Sequence, residues 1–448
     1  MSILRSLQVG VSGLRSHSEA LGVNGDNIAN VNTVGFKNSR AEFEDMIASN
    51  VSRHAPAQEM GGGSRIGEIR QIWSQGSLIN TDRPTDLAIS GEGMFVLEGT
   101  LRGSDSRWFT RAGQFLINDD GMLVNSDGLR VQGYNANTDG TLSSVVEDLV
   151  VASNSVAASP TTEVNVAANL NAEALDLGGF VPASPESTSN FSTEVTVYDS
   201  LGGEHQVVIF FNKSGAPNTW EWHAMVDGGE LDPSVTVDAN GNTPESGVLS
   251  EMAGGVLAFD TNGALTTEFD LDGTTTPPTP TTWTFLNATA QDMTFDFGAS
   301  VTEGESGLDG TTQFSSVSTT TSISQNGFNS GTVAGLSIEP DGTINGLFSN
   351  GEQRPLGRIA LAAFTNMDGL ERVGAGMFGA TEDAGEAMVG AANSGWRGSI
   401  ISGSLEQSNV DLGAEFVNLI SNQRGFQANS RVITTADDMY AELVNIKR

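Results

Sequence analysis

The sequence predicts an α+β protein that is mostly β, with nested β-barrel or sandwich domains in the middle and N- and C-terminal helices forming a coiled coil. Three observations carry this. All thirteen prolines lie between Pro56 and Pro355, so both end segments lack the strongest helix breaker. Apolar residues recur every seven positions in those ends. Between them, β-branched and aromatic runs are punctuated by Asp120-Gly121, Asp127-Gly128, Asp227-Gly228, Asn262-Gly263, Asp341-Gly342 and Asn345-Gly346, pairs that suit tight hairpin turns.

Residues 1–30 place Leu7, Leu14, Leu21 and Ile28 at heptad spacing, with Leu4 and Val11 beside them, which predicts an amphipathic helix. Residues 31–75 and, on the return, 398–404 form a connector, loosened by Gly61-Gly62-Gly63-Ser64-Arg65-Ile66. If the end helices pair, the chain goes out and comes back, so its domains are nested. Residues 76–150 then share an inner β-domain with 325–397, and 151–324 form an outer β insertion. In that insertion His205–Asn212 and Thr219–Val226 predict a hairpin with Trp220, Trp222 and Val226 on one face. Trp283 and Phe285, then Met293, Phe295 and Phe297, alternate in the same way. Patches rich in Ser, Thr, Pro and Gly near 176–192, 271–282 and 302–322 read as surface loops or joints. Residues 405–448 carry Leu405, Leu412, Leu419, Phe426, Ile433 and Tyr440 in one heptad series. Val432, Met439 and Ile446 run beside it, flanked by Phe416 and Val444, and the expected product is a long helix with one sticky seam. Helices at the extremes of a β-rich chain have no core of their own. They are expected to pair with each other and with neighbouring copies.

Composition removes several functions. The formal net charge is −34, and between Arg130 and Arg354 the only Lys or Arg is Lys213. Such an acidic surface repels nucleic acid and anionic membrane, so neither is expected as a partner. There is no cysteine, hence no disulfide or thiolate chemistry. No stretch reaches the length of a membrane span, and the opening residues lack the apolar core of a secretory leader. The four histidines, His17, His54, His205 and His223, show no metal-ligand spacing. His205 and His223 could face each other across the hairpin, as ordinary strand histidines. Gly61-Gly62-Gly63-Ser64 lacks the Gly-Lys-Ser/Thr ending of a phosphate loop, and Gly91-Glu92-Gly93 is too short for a dinucleotide site. Asp119-Asp120 and Asp437-Asp438 are expected neighbours among 55 acids. No nucleophile, base and orienting group can be nominated, so neither an enzyme, a cofactor nor a metal is expected.

Asn27-Ile28-Ala29-Asn30 with Thr33 and Gly35-Phe36-Lys37 resembles the segment that closes the N-terminal helix in the flagellar rod and hook axial family. The match continues through Ser74-Gln75-Gly76-Ser77-Leu78, Asp86 to Gly91 and Thr110-Arg111-Ala112-Gly113. It resumes on the return at Phe364-Thr365-Asn366 and at Leu405-Glu406-Gln407-Ser408-Asn409-Val410-Asp411-Leu412, with Gln423-Arg424 and Ala428-Asn429. Rod members are much shorter, and a large outer insertion is what hook subunits carry. The resemblance therefore implies a structural subunit of the flagellar hook, self-assembling into a curved, flexible tube that transmits torque. It further implies export through the flagellar type III apparatus without a cleaved signal peptide. The implied partners are other copies of the chain, the distal rod protein and hook–filament junction proteins at the tube ends, the hook cap during assembly, and the export apparatus. A distal rod subunit of the same family, straight and rigid, stays open as a reading, as does a secreted β-rich adhesin.

In physical terms, a lone heptad arm has an exposed apolar seam. Stacked copies bury it jointly, and head-to-tail contacts that do not close give an open helical tube.

Overall fold

A computed structural model describes residues 3–47, 61–137, 140–151, 155–213, 215–234, 243–270 and 280–446, and the sequence pattern at its two ends becomes two helices, Ile3–Ala29 and Leu412–Ile446. His54, most of the 271–282 patch, and the side chains of Leu4, Val444 and Ile446 lie outside the described residues. Nearly all regular structure between the helices is strand.

The chain divides into two compact units. The first comprises Met1–Ser153, Ala334–Leu347 and Gln353–Arg448, and the second Asn154–Val333 and Phe348–Glu352.

In the first unit the outgoing and returning chain pair as antiparallel strands. Leu78–Asn80 pairs with Ser404–Glu406, and Leu87–Ser90 with Ser399–Ser402. The strand Met94–Leu101 pairs with Ser104–Thr110 across a two-residue turn in which Arg102 and Gly103 both have positive φ, the geometry that keeps the twist of a tight hairpin. It also meets the returning strand Gln353–Ala363 through Phe95 opposite Leu361. Its first four residues are all buried, because alternate side chains serve two cores. Phe95 and Leu97 join Phe115, Val131, Ile344 and Ile359, while Met94 and Val96 join Phe109, Ala362 and Phe378. Between the N-terminal helix and this sheet, a long hairpin pairs Ser39–Ile47 with Gly61–Gln71.

The second unit holds two five-stranded sheets. One is an antiparallel meander of Phe191–Tyr198, Glu204–Lys213, Thr219–Asp227, Leu249–Phe259 and Leu265–Asp270. The other centres on Glu163–Asn171, which runs parallel to Gln291–Asp296 and Thr312–Phe314 and antiparallel to Thr319–Gln325. Their apolar faces share one core, with Trp220, Trp222, Val226, Trp283, Phe285, Phe295 and Phe297 in it. The segment past residue 324 stays with this unit, because Ser155–Val156 pairs with Gly331–Thr332 and Ser159 bridges Phe328. The return to the first unit thus comes later than residue 325.

Two local expectations are corrected. Asn345-Gly346 lies inside the strand Thr343–Phe348 and not in a turn; the register shifts there opposite Pro355, which has no N–H to give to a ladder. His205 and His223 do not face each other. His205 stands opposite Val197, its Nδ1 2.7 Å from Glu230 and its Nε2 3.2 Å from Asp199, whereas His223 stands opposite Phe210 and pairs with Glu251 at 2.5 Å. Burial opposes the charge of Asp199, yet the N–H groups of Gly203 and Leu201 together with His205 hold its carboxyl below the usual range.

Glu268 behaves in the opposite sense. Burial, and then the charge of Asp296, push it from 4.5 up to about 8, against one backbone N–H from Phe297. The folded state therefore keeps a proton that the unfolded chain has released, and stability falls as pH rises through that window. Glu268→Gln should raise the melting temperature of the second unit, with a gain that grows from pH 5 to pH 8 in calorimetry. A gain independent of pH would contradict this account.

Candidate assembly surface

The terminal helices meet along their smallest residues. A β-carbon added at Gly13 would stand 2.7 Å from the Asn429 side chain, one at Gly10 3.0 Å from Ile433, and one at Gly425 2.5 Å from His17. His17 Nδ1 lies 3.1 Å from Asn422 Oδ1. Rising numbers on one helix oppose falling numbers on the other, so the pair is antiparallel. On another side of the N-terminal helix, Ser16 Oγ donates to the Ser64 carbonyl at 3.0 Å and Ser64 N–H donates to Ser12 Oγ at 3.3 Å, which seats the long hairpin. Each glycine inside a helix costs about 1 kcal/mol relative to alanine, and here the cost is offset by close approach.

This contact is not the apolar series read from the sequence. On the C-terminal helix the covered heptad row is Glu415, Asn422, Asn429 and Ala436, polar or small. Of the predicted seam, Leu7, Leu14, Leu21 and Ile28 are half-buried, as are Leu419 and Ile433, whereas Leu412, Phe426 and Tyr440 are exposed. The predicted row stands three residues, about 60° round the helix, from the covered row, so it lies at the flank of the contact and not at its centre. Val11, Phe416, Val417, Ile420, Val432 and Met439 are exposed as well, with Phe416 52% and Val417 67% accessible. Leu405 is not helical. It sits in the strand Ser404–Glu406 opposite Ile79, because the helix begins only after Asp411, whose Oδ1 accepts from the N–H groups of Gly413 at 2.8 Å and Ala414 at 3.2 Å.

The remaining signature residues gather where the helices join the sheet. Asn27 and Ser39 exchange two bonds, with Asn27 Nδ2 donating to the Ser39 carbonyl at 2.7 Å and Ser39 N–H donating back at 2.9 Å. Asn30 Nδ2 donates to Asp26 at 2.9 Å and Thr33 Oγ1 to Asn30 at 3.1 Å, closing the helix end beyond the exposed Ala29. Gly35 has positive φ, and a side chain there would strike the backbone of Arg111 and Ala112. Phe36 is buried, with the Arg372 guanidinium 4.8 Å above its ring. Asn409 accepts from Asn38 N–H at 2.7 Å and donates to the Ile72 carbonyl at 2.7 Å, while Ser408 Oγ accepts from Val410 N–H at 3.3 Å.

At the centre is a buried charge cluster. Lys37 Nζ donates to Glu406 Oε1 at 2.5 Å and to the Ser74 carbonyl at 2.8 Å; Arg111 Nη1 donates to Glu406 Oε2 at 3.3 Å and Nη2 to the Gly91 carbonyl at 2.7 Å. Gly76 N–H gives Glu406 a further bond at 2.9 Å. The three charged side chains are at most 4% accessible. Burial lowers the Lys37 ammonium and the Arg111 guanidinium, and in both cases Glu406 works against that. Arg111 and Glu406 belong to the blocks that resemble the family, but no sequence signal shows that they pair, and neither Arg372 nor the helix glycines were singled out. A lone Glu in a strand looks like a solvated residue until its partners are known. Glycines 10 and 13 inside an otherwise regular helix were the available signal for a close crossing.

Among the described residues no group of histidine and acidic side chains could hold a metal, and no helix is long and apolar enough to cross a membrane.

Removing Glu406 strands two buried cations. Glu406→Ala should cost the first unit about 3 to 5 kcal/mol, read as lost hydrogen-exchange protection in Met94–Leu101. Protection in Thr219–Asp227 of the second unit should be unchanged.

Four family models match the chain in succession. They are the flagella basal body rod protein over residues 7–37, the flagellar hook protein FlgE/F/G D1 domain over 88–173, the flagellar basal body protein FlaE D2 domain over 169–328, and the flagellar basal body rod FlgEFG protein C-terminal region over 401–446. Flagellar hook protein FlgE of Treponema pallidum is 33% identical, with 100% of both chains covered. That of Borreliella burgdorferi is 34% identical over 99% of this chain and 100% of its own, and that of Escherichia coli 32% identical over 98% of each. With such identity along its whole length, and with the signature residues joined as described, the chain belongs to the flagellar hook protein family, FlgE.

Proposed function

We propose that this chain is the structural subunit of a bacterial flagellar hook, polymerising into a hollow, curved and flexible tube that carries torque from rod to filament. One observation supports assembly above the others. The C-terminal helix has spent its closest face on the N-terminal helix through small and polar residues, and it still exposes Phe416, Val417, Ile420, Val432, Met439 and Tyr440. Exposed apolar rows of this extent on one helix are a docking surface. The same arms, combined as a coiled coil between copies, form the inner wall of the tube, while polar contacts between β units slide as the tube bends. The subunit reaches its place on the cell exterior through the type III export apparatus. It meets the distal rod protein and the hook–filament junction proteins at the tube ends, and the hook cap during growth. Its role is mechanical and not enzymatic.

Phe416→Asp should leave the circular dichroism of the monomer unchanged and abolish tubes in electron micrographs; normal tubes from this variant would refute the reading. Curved polymer distinguishes a hook subunit from a straight rod subunit. The acidic excess between Arg130 and Arg354 adds a salt dependence, since repulsion between neighbours is screened only over about 10 Å at 0.1 M salt. Sedimented polymer should decrease as salt is withdrawn.

A further inference from the structure

A groove of about 700 Å³ runs between the N-terminal helix and the long hairpin, floored by Leu7, Val11, Met46 and Ile66 and rimmed by Arg15, Glu19 and Arg65. Val11 is 52% and Met46 41% accessible, so the floor is apolar and open. The chain's own C-terminal helix cannot fill it. That helix contacts the N-terminal helix at Gly10, Gly13 and His17, and at 3.6 residues per turn the groove residues Gln8, Val11 and Arg15 point to the opposite side.

We propose that this groove receives the distal half of the C-terminal helix of a second copy, an inference that rests on the polymerising role given above and assigns it a specific surface. The fitting face is on the page. Val432, Thr435, Met439 and Glu442, spaced by three and four, are all exposed and form one stripe down that helix. Length agrees, since Leu7 to Glu19 and Val432 to Glu442 each span about 15 to 18 Å of helix at 1.5 Å per residue. Charge agrees too. The rim offers Arg15 and Arg65, partnered by Glu19 at 3.0 Å and Glu44 at 2.9 Å, and the one charged residue of the stripe, Glu442, is acidic, while Asp437 lies on the far side of the helix. In an open tube every copy points the same way along the axis, so the incoming helix runs antiparallel to the one that lines the groove.

The cysteine-free sequence makes the test direct. Val11→Cys and Met439→Cys are prepared as separate full-length chains, mixed, polymerised and treated with a short bis-maleimide. Leu175→Cys, an exposed position in the second unit, replaces Met439→Cys as control. The expected result is a cross-linked dimer from the Val11→Cys and Met439→Cys mixture in the polymer, at least tenfold above the control mixture and absent from unpolymerised protein. A variant that does not polymerise alone is added as a minority to wild-type polymer and read in the same way. Normal polymer without this cross-link, or with equal linkage to Leu175→Cys, overturns the groove assignment and leaves assembly standing. Failure of the wild-type chain to polymerise at all overturns the assembly reading itself.

Discussion

The carboxylate of Glu406 is the constraint on which the helical end of the molecule depends. Lys37 lies just past the N-terminal helix, Arg111 directly follows the strand Ser104–Thr110, and Glu406 leads into the C-terminal helix, so one buried anion ties together three stretches distant in sequence. Ion pairs removed from water give little net stability compared with apolar packing, but breaking one leaves a charge with nowhere to go. Such a cluster therefore specifies where the helices leave the sheet more than it stabilises the sheet. Asn27 with Ser39 and Asn409 with Asn38 and Ile72 supplement it with neutral bonds to backbone. Loss of alignment at this junction would be carried outward along a C-terminal helix of 35 residues, roughly 50 Å at 1.5 Å per residue.

Against that fixed root, the helix pair is economical with apolar surface. Gly10, Gly13, Gly425, Asn422 and Asn429 lie in the intramolecular contact together with His17 and Ile433, and Phe416, Val417, Val432 and Met439 are left exposed. A monomer built this way has close-packed arms and still leaves Ile420 and Tyr440 exposed as well. The units have separate cores, one in the second unit rich in tryptophan and phenylalanine and two in the first shared between outgoing and returning strands. None of these cores draws on the helices for its main apolar residues, so the sheets need not unfold when the arms rearrange.

Much of this was legible in the sequence. Proline placement and heptad spacing located the helices, and alternation located the tryptophan-faced hairpin, because period and breaker signals act locally. What stayed hidden was long-range. The helix start was set by the Asp411 cap, which overrides a heptad row that extends back to Leu405. The intramolecular contact row of Glu415, Asn422, Asn429 and Ala436 has the same period as the apolar row, and hydrophobicity alone does not point to it. Glu406 and Arg111 are 295 residues apart, a distance that no local pattern reports. The pairing of Leu78–Asn80 with Ser404–Glu406 could be anticipated only as an out-and-back path, without register.

That last pairing bears on the order in which the chain acquires structure. The second unit is built from contacts inside one nearly continuous stretch, whereas the first cannot close until strands on either side of that stretch have met. The entropic cost of closing so large a loop grows only slowly with length, but the encounter is delayed. During synthesis or threading from either end, the insertion can fold early and the sheet beneath the helices late, so an incomplete chain lacks the Glu406 junction from which both helices leave.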